Sequence, residues 1–334
     1  MKKIIKNNKL ISIVIVNYNG KKWLKKCLDS LFNQTYENFE IIFVDNASVD
    51  DSLEFIRNNY NDSRIKIIKS DKNLGFAGGN NLGVGNSLGS YIMLLNNDTW
   101  LENKTLEQIF SFYEKNDFHV VAPYIRDYEK KKVVRPYLWK IDLLGHPIRI
   151  EKKESSHSFY LGGACIFFKK ELYIETLGLD DNFFMYSEEV DWFWRLNLLK
   201  CKSCYIDDIY VYHAGGGSSG DGIRYLSFLW RNQNILQMLL KNYRWFNLLW
   251  VLPIYFVQNI FEIIFFILIL RPKIAHSYVQ GWGFNIVNFR KIMHNRKWVQ
   301  ENRMVGDFEI IKMMYIGFAK IHHLINFYKI NVLK

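Results

Sequence analysis

The chain has 334 residues, of which 49% are hydrophobic and 16% aromatic, and its formal net charge is +11. This apolar content excludes an intrinsically disordered chain, because burying it can offset the entropy that is lost on ordering. The positive charge favours phosphate groups or an anionic membrane surface as partners, and no nucleic-acid-binding motif accompanies the lysine clusters, so we expect no nucleic-acid partner.

Four strands are predicted in the first third of the chain, the first two of them buried. The run ISIVIV at 11–16 is too short for the core of a signal peptide and predicts the first strand. The runs FEIIFVD, RIKIIK and SYIMLL predict three more, and segments with apolar residues at helical spacing separate them. This alternation predicts an α/β fold with a mostly parallel, Rossmann-like sheet flanked by helices.

Each of these strands ends in small polar side chains. They are Asn17, Tyr18 and Asn19, then Asp45 and Asn46, then Asp71 and Asn73, then Asn96, Asn97 and Asp98. Because ligands of such sheets bind beyond the carboxyl ends of the strands, we expect a polar ligand cleft there. Asp98 would be the protein half of a Mg²⁺ or Mn²⁺ site that substrate phosphates complete. Asp45 would accept a hydrogen bond from a nucleobase or a ribose.

A glycine-rich segment, NLGFAGGNNLGVGNSLG at 73–89, follows the third strand. Glycines allow the backbone to approach an anion closely at a helix start. Gly83, Gly85 and Gly89 miss the dinucleotide-binding spacing by one position. A nicotinamide oxidoreductase is therefore the less favoured alternative.

The second half of the chain supplies acidic and basic candidates. Residues 125–158 are polar and predict a loop-rich excursion, and a strand is expected at 164–168. In MYSEEVDWFWRL, at 185–196, Glu188, Glu189 and Asp191 lie at a helix N-terminus, where one carboxylate could take a proton from an attacking hydroxyl. His213, before a Gly/Ser loop, could ligate a metal or contact phosphate. Cys201 and Cys204 have no second pair for zinc, so we expect reduced thiols.

The segment LLWVLPIYFVQNIFEIIFFILIL, at 248–270, has no Lys or Arg but contains Glu262. Its length would allow it to span a bilayer. A mid-segment carboxylate disfavours a span, so an interfacial or re-entrant helix is preferred. A buried core helix, or a helix that packs against a second copy in a homodimer, is the remaining alternative.

The ordered motifs SIVIVNYNG, FVDNASVDDS, NLGFAGGNN, LLNND, GGACIFFKKELYIETLGLDDNFFMYSEEVDWFWRL and YHAGGGS resemble family 2 glycosyltransferases. Within that family they are most similar to the bacterial rhamnosyltransferase-like branch. The resemblance covers about residues 10–240 and implies a GT-A fold. It also implies inverting, metal-assisted transfer of rhamnose or another hexose from a nucleoside-diphosphate sugar to a hydroxyl of a lipid-linked or polysaccharide acceptor, in cell-surface glycan synthesis.

The resemblance also implies roles for individual residues. Catalysis is expected from Glu189, with Asp191 close behind, and the metal ligands from Asp98, His213 and Asn96. The last of these stands where the family has an Asp. The expected nucleotide-sugar contacts are Asn17, Tyr18, Asn19, Asp45, Asn46, Asn73, Gly75, Asn80 and Asn97, and the expected acceptor contacts are Gly163, Glu188, Trp192 and Arg195.

The expected organisation is a GT-A domain at 1–240, with a donor half at about 10–125 and an acceptor half at about 155–240. A helical, membrane-associating region follows at 241–334. We expect a peripheral or monotopic protein on the cytoplasmic face of the bacterial inner membrane. A non-catalytic, membrane-docked component of glycan assembly is the main alternative.

Overall fold

The computed structural model describes residues 9–127, 137–151, 158–215 and 224–322. The chain divides into two compact units. The sheet unit lies within Met1–Pro136, Leu161–Trp192 and Cys201–Gly220, and the helical unit lies within Tyr137–Tyr160, Phe193–Lys200 and Asp221–Lys334.

Strands and helices are numbered in chain order. The strands are β1 (Ile11–Asn17), β2 (Phe39–Asp45), β3 (Ile65–Lys69), β4 (Tyr91–Leu95), β5 (Thr99–Leu101), β6 (Val120–Asp127), β7 (Tyr137–Ile141), β8 (Pro147–Glu151), β9 (Cys165–Lys169) and β10 (Ser203–His213). The helices are α1 (Lys21–Phe32), α2 (Ser52–Asn59), α3 (Gly75–Gly85), α4 (Thr105–Lys115), α5 (Lys170–Glu175), α6 (Glu188–Leu198), α7 (Arg224–Asn242), α8 (Trp245–Leu268), α9 (Pro272–Val287), α10 (Phe289–Asn302) and α11 (Asp307–Met313).

The sheet unit is built on an eight-stranded mixed sheet in the order β3-β2-β1-β4-β9-β6-β10-β5. Strands β1 to β4 are parallel, so the four predicted strands and their common direction are confirmed. Strand β9 runs antiparallel to both β4 and β6, and β5 runs antiparallel to β10. The parallel half therefore brings four carboxyl ends to one edge, as the alternation of strands and helices predicts.

Helix α3 packs directly on β1 because its packing face is made of glycines. A Cβ on Gly83 would lie 2.3 Å from Cγ1 of Val14, and a Cβ on Gly79 would lie 2.6 Å from Cγ1 of Val16. Such distances are far inside van der Waals contact, so only glycine permits this approach. Part of the glycine pattern thus serves helix–sheet packing.

The polar excursion predicted at 125–158 is only partly a loop. Strand β6 continues to Asp127, and β7 and β8 form an antiparallel hairpin in the helical unit. Residues 128–136 and 152–157 lie outside the described residues. The hairpin escaped prediction because each strand is only five residues long and lies in a segment rich in lysine and other polar residues.

Aromatic rings from three parts of the helical unit pack together beside the hairpin turn. Phe159 meets Trp194 edge-on at a centroid distance of 5.8 Å, and Trp194 meets Tyr243 at 4.9 Å. The hydroxyl of Tyr243 donates to the carbonyl oxygen of Leu143 at 3.0 Å. All three rings are fully buried, so residues far apart in sequence share one core.

Helix α8 holds the apolar segment that the sequence singles out. By length and composition it is the one helix in the described part of the chain that could cross a membrane, with a mean hydropathy of 2.0. Only 17% of its most apolar window is buried. It is therefore not the buried core helix that was one of the alternatives.

Candidate active site

A cleft of about 250 Å³ opens at the carboxyl ends of the parallel strands in the sheet unit. Nine of the residues predicted for the donor and metal sites line it: Tyr18, Asn46, Asn73, Gly75, Asn80, Asn96, Asn97, Asp98 and His213. They come from four strand ends, from α3 and from β10. The structure thus collects in one cavity residues that are up to 195 positions apart in sequence.

Carboxamides fix the walls of the cleft near β1. The Asn97 amide donates to the Asn17 amide oxygen at 2.7 Å, and the Asn17 amide donates to the Ser48 hydroxyl at 3.1 Å. The Asn19 amide oxygen accepts from the backbone N–H of Val49 at 2.8 Å. These bonds tie the ends of β1, β2 and β4 together without a formal charge that would repel a phosphate.

A second carboxamide pair holds the start of α3. The Asn46 amide donates to Asn73 Oδ1 and to the Gly75 carbonyl, both at 3.0 Å, and its oxygen accepts from the backbone N–H of Leu74. Asn73 Oδ1 also accepts from the backbone N–H of Gly75 at 2.9 Å. The first turn of α3 is therefore fixed against the end of β2. The amide of Asn80 donates to the Phe76 carbonyl, within the same helix.

Asp45 directly precedes the cleft residue Asn46 and lines a second depression together with Ser48, Asp50 and Lys69. Its side chain is 1% exposed, and its Oδ1 has no hydrogen-bond partner among the described residues. A buried acceptor without a donor is costly, so this oxygen is suited to a donor group from a ligand.

Asp98 and His213 meet at the end of β4. Their Oδ1 and Nε2 atoms lie 3.0 Å apart, and Nδ2 of Asn96 lies 3.4 Å from the same imidazole nitrogen. The pairing of β5 with β10 sets this contact, since His213 lies opposite Thr99 and the Ala214 N–H donates to the Asp98 carbonyl at 3.0 Å.

These donors fit a divalent cation that completes its shell from elsewhere. A carboxylate and an imidazole are both divalent-metal ligands, and cations that are bound with phosphates need few protein ligands. Among the residues that the structure describes, no three His, Cys, Asp or Glu side chains cluster. The protein would therefore supply only part of the coordination, and a diphosphate would supply the rest.

The loop before α6 closes the cleft from the other side. Met185 and Tyr186 line the cavity, and Tyr186 and Ser187 both have left-handed backbone conformations, with φ of 71° and 67°. The Phe184 carbonyl accepts from the Phe76 N–H at 2.7 Å, which ties this loop to α3. Sequence reasoning missed Met185 and Tyr186 as lining residues, although they directly precede the acidic motif.

Glu189 stands next to the cleft, beside Gly163. A Cβ on Gly163 would lie 3.8 Å from Oε1 of Glu189 and 3.7 Å from Phe76, which lines the cavity. The adjacent Ala164 carbonyl accepts from the Asn96 N–H at 3.0 Å. The predicted base and the predicted metal ligands are thus linked through residues 163 and 164.

Glu188 differs from Glu189 in its surroundings. Its side chain is 5% exposed, whereas Glu189 is half-buried. Burial, and next the neighbouring Glu189 carboxylate, raise the pKa of Glu188 well above its usual range. The pair therefore holds a proton on Glu188 at pH values where an ordinary carboxyl group is charged.

Other predicted side chains of α6 are interior. Trp192 is fully buried, packs on Phe168 and Tyr173, and donates its indole N–H to the Thr176 hydroxyl at 2.8 Å. Asp191 is 0% and Arg195 4% exposed. In this structure Trp192 and Arg195 present no surface to an acceptor, because the helix turns that face toward the protein interior.

Comparison with known proteins matches residues 12–177 to the family model Glycosyl transferase family 2. The chain is 30% identical over 237 residues to the UDP-Glc:alpha-D-GlcNAc-diphosphoundecaprenol beta-1,3-glucosyltransferase WfaP of Escherichia coli, which is 69% of this chain and 86% of that protein. It is 35% identical over 119 residues to an uncharacterized glycosyltransferase of Haemophilus influenzae, which is 35% of this chain and 36% of that protein. The chain thus spans little more than a third of the length of this second relative.

Two solved structures share the fold. Residues 1–349 of S. aureus TarS in complex with UDP-GlcNAc match at a TM-score of 0.53 and 17% identity, over 70% of this chain and 67% of that one. The mannosyltransferase PcManGT from Pyrobaculum calidifontis, in complex with GDP-Man and Mn²⁺, matches at 0.53 and 13%, over 94% and 86%. The family match and the coverage of the Escherichia coli relative agree: the chain belongs to glycosyltransferase family 2.

Proposed function

We propose that the protein transfers a sugar from a nucleoside-diphosphate donor to a hydroxyl of a lipid-linked acceptor. The observation that supports this most is the juxtaposition of three groups at one edge of the sheet. They are an uncharged carboxamide cleft, the Asp98–His213 pair, and the Glu189 carboxylate beside Gly163.

The donor side of the proposal follows from the polarity of the cleft. Carboxamides can donate to a diphosphate and to sugar hydroxyls without repelling either, and the buried Oδ1 of Asp45 can accept from a nucleobase or ribose. The Escherichia coli relative is named for a UDP-Glc donor, and the two solved structures contain UDP-GlcNAc and GDP-Man. A UDP-sugar is therefore our first choice of donor. Whether its sugar is rhamnose or another hexose is decided by the donor panel described below.

The same relative is named for an undecaprenol-linked diphosphate acceptor, which favours a lipid-linked acceptor here. An enzyme that acts on such an acceptor works at a membrane surface. The cytoplasmic face of the bacterial inner membrane, where nucleotide sugars are available, is the location that we propose.

Glu189 and Glu188 have different roles in the proposed reaction. Glu189 accepts the proton of the acceptor hydroxyl, whose oxygen forms a bond to the anomeric carbon as the bond from that carbon to the diphosphate breaks. Attack from the face opposite the diphosphate inverts the anomeric configuration. Because burial raises the pKa of Glu188, we assign the role of base to Glu189, which is the less buried of the two carboxyl groups.

A divalent cation, when bound, would be held by Asp98 and His213 with Asn96 nearby, and it would neutralise charge on the departing diphosphate. The Mn²⁺ in one structural relative supports a cation of this kind. The Asn97 side chain, which lines the cleft and is held by Asn17, orients the donor and contributes to rate by positioning.

The test is transfer by the purified full chain, with a panel of nucleotide sugars and an undecaprenyl-diphosphate-linked acceptor, read out by mass spectrometry of the lipid. We expect Glu189→Gln to lower turnover by about 10²–10⁴-fold while donor binding stays within about twofold. Glu171→Gln, at an exposed position in the first turn of α5, is the matched control and should keep full turnover. Wild-type turnover in Glu189→Gln would refute the base assignment, and failure of the wild type with every donor would refute the proposed function.

A further inference from the structure

Helix α8 packs against the helical unit with one face only. Its buried residues are Leu248, Val251, Tyr255 and Asn259, which follow each other at helical spacing. The Tyr255 hydroxyl donates to the carbonyl oxygen of Asn232 in α7 at 3.4 Å. Protein therefore covers this inner face from Leu248 to Asn259.

The opposite face is apolar but exposed. We define the outer face of α8 as Phe246, Leu249, Val257, Phe261 and Leu268, whose exposed fractions run from 51% to 77%. A contiguous apolar surface of this kind marks an interaction site, because leaving it in water is unfavourable.

The one carboxylate of α8 points away from this outer face. Glu262 accepts from Lys320 at 2.7 Å, from Gln258 at 2.9 Å and from the hydroxyl of Tyr278 in α9. Its charge is therefore neutralised on the protein side. The acidic residue that argues against a membrane segment in the sequence is thereby removed from the surface that would meet lipid.

The N-terminus of α8 is also fixed by the rest of the helical unit. Asp307 Oδ2 accepts from the backbone N–H of Arg244 at 2.8 Å and from the Asn247 amide at 2.6 Å, and Arg303 pairs with the same carboxylate. If α8 crossed a bilayer, Asp307, Arg303 and the Glu262–Lys320 pair would either separate from the helix or enter the hydrocarbon with it. Each charged group at the bilayer centre costs about 2.5–3.5 kcal/mol on insertion scales.

Charge favours an anionic occupant. Residues 224–322 contain thirteen Lys and Arg against four Asp and Glu, a net charge of +9 out of +11 for the chain. Exposed Arg244 precedes α8, and exposed Arg271 and Lys273 follow it. Basic side chains at both ends of an apolar face are typical of helices that lie in a membrane interface.

We propose that α8 lies parallel to an anionic lipid leaflet, with its outer face among the acyl chains and its inner face on the protein, rather than crossing the bilayer. This inference rests on the proposed function and extends it. It names the surface that brings the enzyme to a lipid-linked acceptor. Its test needs neither donor nor acceptor, so the two can fail separately.

The first experiment is flotation of the full chain with vesicles of phosphatidylglycerol and phosphatidylethanolamine, and with neutral phosphatidylcholine vesicles. We expect binding to the anionic vesicles, and the double variant Leu249→Asp, Phe261→Asp should bind at least about tenfold more weakly. Leu88→Asp, at a 71% exposed position in the sheet unit, is the matched control and should bind like the wild type. Equal vesicle binding by all three proteins would overturn the proposal. It would also be overturned if the double variant bound vesicles like the wild type but lost self-association in light scattering, because the outer face would then contact a second copy.

The second experiment measures orientation. A polarity-sensitive dye is attached to Leu249→Cys, Val257→Cys or Leu268→Cys, with Cys201 and Cys204 replaced by serine, since Cys27 and Cys165 are buried. Brominated lipids then report the depth of each dye. We expect one shallow depth for all three positions, and a gradient with position 257 deepest would show a spanning helix and overturn the proposal.

Discussion

Replacing Gly75 with alanine should disturb the cleft through a backbone contact. Gly75 begins α3 with φ of +70°, a conformation that costs an L-residue about 1–2 kcal/mol. The new Cβ would lie 2.0 Å from the carbonyl oxygen of Phe184, so the loop that carries Met185 and Tyr186 must move. Forced overpacking typically costs about 1–3 kcal/mol.

Together these effects predict a loss of about 2–5 kcal/mol in the free energy of unfolding. At about 2–4 °C per kcal/mol, the melting midpoint should fall by about 4–20 °C. The stabilisation by a nucleotide sugar should fall as well, because the displaced loop lines the cavity. Both quantities are measured by differential scanning fluorimetry with and without donor.

Gly85→Ala is the matched control within the same helix. Nothing lies within 4 Å of a Cβ at that position, so the substitution should leave the midpoint unchanged or raise it slightly. If Gly75→Ala melts and binds donor like Gly85→Ala, the close approach of α3 to the loop does not shape the cleft, and this reasoning is wrong.

Three further predictions concern charge. Asp98→Ala should weaken donor binding in Mn²⁺ or Mg²⁺ by calorimetry, and equal affinity of the wild type with and without chelator would remove the metal from the mechanism. Because burial raises the pKa of Glu188, its stabilising contribution is complete below its unfolded pKa of about 4.3 and is lost as pH rises through the folded value. Glu188→Gln should therefore melt above the wild type at pH 8, with the difference shrinking toward pH 4, and a constant difference would contradict it. Burial lowers the pKa of His146, so the stability that this group contributes above about pH 6.5 is lost as the pH falls through its folded pKa. His146→Gln should therefore flatten the dependence of the melting midpoint on pH between about pH 7 and 5. An unaltered dependence would contradict this prediction.

The sequence predicts the parallel half of the fold well. The apolar runs that form β1 to β4 are bounded by turn residues, and the rule that ligands bind at strand ends places Asn46, Asn97 and Asp98 in one cavity. Their chemical roles stay predictions. The antiparallel insertion of β9 between β4 and β6 was not predictable, because strand order depends on contacts between segments distant in sequence.

The two neighbouring glutamates show more clearly what the sequence alone does not predict. Glu188 and Glu189 are identical in type and adjacent, yet one is buried and the other half-exposed, because successive residues on a helix point about 100° apart. The same rotation turns Trp192 into the core. The partners of the α8 segment, Asp307 and Lys320, lie about 60 residues beyond their contacts, so no local pattern reveals them.

The burial of Trp194 by Tyr243 and Phe159 bears on how shortened forms of this enzyme should be prepared. A fragment ending near residue 240 would lose Tyr243, and with it the ring that packs on Trp194 and the hydroxyl that donates to the Leu143 carbonyl. The newly exposed Trp194 ring would favour self-association of such a fragment. Laboratories seeking a detergent-free sample should therefore keep the full length and replace outward-facing apolar side chains of the long helix with polar ones.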